Sequence, residues 1–149
     1  MEKGDVKVVG RNQSISYAPK ESVIKNVELI ERWKLFISRA YGERISAQLY
    51  VLGKPFVGEP GTICTETYIA IGNCGSRREV ANIMRYIMTK FFRFMVLMKK
   101  PTQDTLRQVY SFVPLQDFSK PWTDEELYKK YKLTKDEIAF IESMIKPME

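Results

Sequence analysis

The sequence predicts an α+β fold of the broader α/β class: a mixed sheet packed on one long amphipathic helix, followed by two short C-terminal helices. Three observations predict it. Strand-like alternation appears near residues 6–9, 33–39 and 63–71; apolar residues between Val80 and Met98 recur at helical spacing; and two capping signals open at Thr123 and Thr134. A chain of 149 residues is the size of one domain, able to bury about two-thirds of its unfolded surface. The expected organisation is therefore a single domain over residues 1–149, with residues 122–149 as a helical appendage.

Taken in order, the first forty residues read as short strands around one helix. Val6 to Val9 alternates weakly, residues 22–31 are expected to be helical with Val23, Val27 and Ile30 on one side, and Trp33 to Arg39 alternates as a strand. The pattern is then lost between Tyr41 and Thr62, where Gly42, Gly53, Gly58, Gly61, Pro55 and Pro60 predict a long loop, with room for a short hairpin. Ile63 to Ile71 alternates β-branched and aromatic residues and meets the turn Gly72-Asn-Cys-Gly75.

Ser76-Arg-Arg-Glu79 is a capping box, so a helix starts there. Val80, Ile83, Met84, Ile87, Phe91, Phe94 and Met98 follow i, i+3, i+4, i+7 spacing, which predicts one core helix continuing until Pro101 ends it. Residues 108–113 read as a further strand. Two short helices follow, opened by Thr123-Asp-Glu-Glu126 and Thr134-Lys-Asp-Glu137. Trp122 and Leu127 suit a hydrophobic staple, and Ile138, Ile141 and Ile145 share one face.

Composition removes several classes of chemistry. The chain has no histidine and two cysteines, so it holds no ordinary zinc site and no Ser-His-Asp or Cys-His nucleophile. No apolar run reaches the ~20 residues that span a bilayer, and the first residues lack a signal peptide's apolar core. The expectation is a cytoplasmic protein with reduced thiols and no membrane partner.

The net charge of +6 is unevenly distributed, because residues 76–110 hold eight Lys/Arg against two Asp/Glu. A localised basic stretch is the footprint of phosphate contact, although a solvated outer face of a core helix has the same composition. The phosphate-contact candidates are Arg78, Arg85, Arg93, Lys99 and Lys100, on the side of the long helix opposite its apolar stripe. Candidates for base or loop contact are Arg39, Arg44, Lys54, Phe56, Gln103 and Arg107, chosen for donor type or for their place in the glycine-rich region.

Other motifs carry less. Asp124-Glu-Glu126 is explained by first-turn helix electrostatics rather than by a magnesium site. Asp5-Val-Lys7 matches a nuclease triplet, but only Glu2 stands upstream of it. Gly58 is followed by Glu59-Pro60, which is unlike a phosphate-cradling loop.

Longer strings point to a process. Tyr110-Ser-Phe-Val-Pro-Leu-Gln-Asp-Phe-Ser-Lys-Pro-Trp-Thr-Asp-Glu-Glu-Leu-Tyr128 and Leu133-Thr-Lys-Asp-Glu-Ile-Ala-Phe-Ile-Glu-Ser-Met-Ile-Lys-Pro-Met148 closely resemble the C-terminal end of adenine-specific type II restriction-modification DNA methyltransferases. The resemblance extends back through Thr89-Lys-Phe-Phe-Arg-Phe94, Cys64-Thr-Glu-Thr-Tyr68 and Gly53-Lys-Pro-Phe-Val-Gly-Glu-Pro-Gly61, and is weakest over residues 1 to 30. Such enzymes carry a glycine turn for S-adenosylmethionine and an Asn/Asp-Pro-Pro-Tyr/Phe motif for the flipped adenine. This chain has neither a Gly-x-Gly nor a Pro-Pro.

The resemblance therefore implies a non-catalytic DNA-recognition or DNA-clamping module that neither methylates nor cuts by itself. It implies double-stranded DNA and the parent protein's catalytic methyltransferase domain as partners. No cofactor is expected in this chain, S-adenosylmethionine belonging to the catalytic domain alone. The alternatives are a magnesium-dependent restriction endonuclease domain and a docking scaffold of the same system. The scaffold would present Leu127, Tyr128, Ile138 and Ile141 as an exposed patch.

Overall fold

The computed structural model of the protein describes residues 4–44, 46–99 and 113–149. Among these residues the strands form two three-stranded sheets, where the sequence suggests one. In the first, β1 (Asp5–Val9) is central, antiparallel to β2 (Ile15–Pro19) and parallel to β5 (Thr62–Cys64). In the second, β3 (Trp33–Ser38) lies between β4 (Phe56–Gly58) and β6 (Tyr68–Cys74), antiparallel to both. Four helices among the described residues complete an α+β fold: α1 (Arg77–Met88), α2 (Lys90–Lys99), α3 (Asp124–Lys130) and α4 (Lys135–Met144).

The period-2 geometry of β3 sends its side chains to two different cores. Leu35 and Ile37 join the main core, together with Val80, Ile83 and Ile87 of α1 and Phe91, Phe92 and Val96 of α2. Phe36 turns the other way and meets Val9 of β1 and Tyr68 of β6, so a second, smaller core joins the two sheets. Phe56 packs edge-on to both rings of that core, with centroids 5.6 Å from Phe36 and 5.1 Å from Tyr68. Lys34, on the same side as Phe36, is also buried. Its ammonium donates to the carbonyl oxygens of Leu29, Ile30 and Glu59, at 3.1, 3.0 and 3.1 Å.

The capping signals at all three predicted helix starts operate. The side chains of Ser76, Thr123 and Thr134 accept from the amides of Glu79, Glu126 and Glu137, and at Thr134 the glutamate returns the bond to the cap amide. Residues 122–149, read as an appendage, supply a wall of the main core through Leu127, Tyr128, Ile141 and Ile145. The docking patch expected on these helices is therefore taken up internally, with only Ile138 half-buried.

Two helical expectations are corrected. Residues 22–31 form no α-helix: single 3-10 turns occupy Lys20–Ser22 and Val27–Leu29, separated by Asn26 in the left-handed conformation with φ of 53°. β-branched Val23, Ile24 and Val27 favour that outcome. The long core helix is two helices, because Thr89 adopts extended backbone with ψ of 154°. The Thr89 hydroxyl donates to the Tyr86 carbonyl and accepts from the Phe92 amide, closing one helix and opening the next.

The glycine-rich stretch contains β4 and is otherwise tied down. Leu49 exchanges main-chain hydrogen bonds of 2.8 Å with Met144, the last residue of α4, and with Lys146 beyond it. The Glu43 carboxylate accepts the amides of Tyr50 and Val51, the latter held at a positive φ of 72°.

Candidate nucleic-acid interface

Helix α1 positions the basic residues that face solvent. Its buried side carries Val80, Ile83, Tyr86 and Ile87, and Arg77, Arg78, Ala81 and Arg85 are exposed on the other. Arg78 and Arg85, seven residues apart, stand on one face about 10 Å from each other along the axis. Among the described residues neither makes an ion pair.

The extended chain leading into α3 runs beside α1 and makes two shallow grooves with it. One, of about 590 Å³, is lined by Arg78, Asn82, Gln116 and Ser119. Its amides are already engaged: Asn82 donates to the Phe118 carbonyl at 2.9 Å, and Gln116 donates to the Tyr131 hydroxyl at 2.7 Å and accepts from Lys130. Arg78 is the cation of this groove, and its lining also holds the carboxylates of Glu79 and Asp117. The other groove, of about 520 Å³, is lined by Lys54 and Arg85 together with Met84, Met88, Trp122 and Met148. Lys54 and Arg85, separate candidates in the sequence, are brought to one place.

Asp124 also lines the second groove, and burial pushes its carboxyl up while the amides of Phe91 and Lys90 pull it down. Tyr128 donates to Glu142, which also pairs with Lys90. Burial opposes the ionised form of Glu142, but the hydrogen bonds from Lys90 and Tyr128 outweigh it and hold the carboxyl below its ordinary value. These groups bind α2, α3 and α4 together beneath the groove.

Arg93 does not share the basic face. It is 0% exposed and donates to the carbonyls of Thr89, Met88 and Tyr50, at 3.1, 2.9 and 3.3 Å. Breaking the helix at Thr89 rotates Arg93 inward, where the carbonyls at the end of α1 receive it. Phe56 is likewise no loop-tip contact, being held in the smaller core. Arg39 and Arg44 are exposed, Arg39 close enough to Cys64 to lower its thiol pKa against the burial that raises it to about 11. Lys99 is exposed at the end of α2, and Lys100, Gln103 and Arg107 lie outside the described residues.

Sequence reasoning passed over the surroundings of Trp122. The indole Nε1 donates to the Asp117 carbonyl at 2.9 Å, and the ammonium groups of Lys120 and Lys130 stand 4.2 and 4.8 Å from the ring centroid. Lys120 also pairs with Glu126. The Lys120-Pro-Trp122 string was the available signal. Among the described residues, no three His, Cys, Asp or Glu side chains come together as a metal-binding group, and no helix is long and apolar enough to cross a membrane. Comparison with protein-family models, with curated proteins and with solved structures finds no match to this chain.

Proposed function

We propose that this chain is a non-catalytic DNA-recognition or DNA-clamping module of a restriction-modification system, acting in the cytoplasm on double-stranded DNA. The observation that carries the DNA contact is the outer face of α1, where exposed Arg78 and Arg85 lie along one line and Lys54 joins Arg85 across a groove. Guanidinium groups bind phosphate oxygens through a planar fork, fixing the protein's register on a duplex without reading its sequence. The assignment to restriction-modification rests on the sequence strings quoted above. The methyl transfer and its S-adenosylmethionine then belong to a separate catalytic domain with which this chain works.

Relative to the expectation from sequence, the phosphate-contacting set loses Arg93 and is centred on Arg78, Arg85 and Lys54. Base reading falls to Arg78 in its polar groove or to exposed Arg39 and Arg44. The test is binding to a labelled random duplex across a salt series, comparing the wild type with the Arg78→Ala/Arg85→Ala variant. Binding that weakens steeply with salt, and less steeply in the variant, supports the reading; no binding at low salt refutes it.

A further inference from the structure

The groove shared by Lys54 and Arg85 has a lining that a duplex backbone does not require. A phosphodiester calls for the two cations, whereas Met84, Met88, Met148 and Trp122 offer soft, polarizable and aromatic surface. Its volume of about 520 Å³ is that of a small-molecule site, which ordinarily spans roughly 300–1,000 Å³. We propose that this groove holds one unstacked nucleotide, its phosphate between Lys54 and Arg85 and its base against Trp122 and the methionines. The inference rests on the DNA-contacting reading above and specifies what one part of that surface takes.

The charges around the groove suit this occupant. Lys54 donates to a main-chain oxygen of Glu149 at 2.8 Å, a contact that a phosphate oxygen would replace, and Arg85 makes no ion pair among the described residues. The acid in the lining, Asp124, directs its two oxygens at the amides of Lys90 and Phe91, at 3.1 and 2.8 Å, so its charge is matched by the start of α2. Trp122 is prepositioned by its bond to the Asp117 carbonyl and by the ammonium groups of Lys120 and Lys130 over its ring. A fixed indole binds a base with little further loss of side-chain freedom, the base meeting it where it lines the groove rather than where the ammonium groups stand.

The chain has two tryptophans, so Trp33→Phe leaves Trp122 as the sole indole reporter. Titration of that protein with a short oligothymidylate should quench Trp122 fluorescence saturably. Arg85→Ala and Lys54→Ala, both at exposed positions, should each weaken this binding by about tenfold with unchanged circular dichroism. A duplex of mixed sequence, titrated in parallel, separates the two levels of the reading. Salt-sensitive duplex binding with no change in Trp122 emission for either DNA would overturn the nucleotide groove and leave the duplex module standing. Absence of binding to both DNAs would overturn both.

Discussion

The carboxylate of Asp124, in the first turn of α3, accepts the main-chain amides of Lys90 and Phe91 at the start of α2. One residue thus serves the beginnings of two helices, and it is the tertiary contribution to the break at Thr89. Asp124→Ala leaves two amides without their acceptor and should destabilise the fold by about 1–3 kcal/mol. Urea unfolding midpoints check this, and an unchanged midpoint would mean that Thr89 alone holds the joint.

Arg93 and Arg85 should separate stability from binding. Arg93→Ala empties a fully buried site and strips donors from three carbonyls, for an expected loss of roughly 2–4 kcal/mol. Arg85→Ala, on the exposed face, should stay within about 0.5 kcal/mol of the wild type. Equal losses in a denaturant titration would contradict the inward placement of Arg93.

The salt dependence of duplex binding should register each cation separately. Removing Arg78, Arg85 or Lys54 singly should flatten the log–log salt slope by about one unit apiece, whatever the duplex sequence. Arg93→Lys is the contrast: any weakening there should follow lost folding and leave the slope of the folded fraction unchanged. Fluorescence anisotropy at four or five salt concentrations measures both quantities.

Lys34 carries a pH signature. Burial pulls its ammonium from 10.5 down to about 8, with Glu31 the leading opposing charge. The folded value lies below the unfolded one. Between these two values the native chain has released a proton that the unfolded chain still binds, and stability rises with pH across that window. Lys34→Met abolishes the effect, so the wild type should gain on the variant as pH climbs from 8 to 10.5. A constant difference in unfolding free energy would show that the three carbonyls hold the ammonium near its ordinary value. At pH 7 the substitution should cost no more than about 1 kcal/mol, since a buried charge is replaced by an apolar chain of similar length. Leu29, Ile30 and Glu59 also keep their main-chain donors in Arg32, Gly61 and Thr62.

Two glycines should differ sharply. A methyl group on Gly58 would lie 2.6 Å from the Phe36 ring, so Gly58→Ala overpacks the smaller core at an expected cost of about 1–3 kcal/mol. Gly61 has open space around it and a φ of +85°, so Gly61→Ala adds only the backbone cost, about 1 kcal/mol. Thermal melts of the two variants should rank in that order.

What the sequence discloses is what local chemistry decides. Ser76, Thr123 and Thr134 mark helix starts because a cap and the amide it binds lie three residues apart. β3 was readable from its alternation, but the burial of Lys34 within it was not, since the three carbonyls come from two turns outside the strand. The division at Thr89 was concealed because Ile87, Phe91 and Phe94 keep helical spacing across it, while part of its cause lies at Asp124, 34 residues away from Lys90. Arg93 was misplaced as a consequence: without the break, it falls on the outer face. Lys54 and Arg85 were found as residue types, yet their shared groove depends on the path of the chain into α3.

The bond between the glycine-rich stretch and the end of α4 bears on how this protein comes to be folded. Gln48 donates to the Glu142 carbonyl across 94 residues of sequence, and the neighbouring Leu49 pairs beside Ile145. During synthesis the partner of this stretch leaves the ribosome 94 residues after it. Until then Val51 and Leu52 lack part of their cover, and the nascent chain presents apolar surface that chaperones recognise. Loss of the final turn of α4 should therefore reduce yield in the cell, through aggregation before the native state is reached, more than its small contact area suggests.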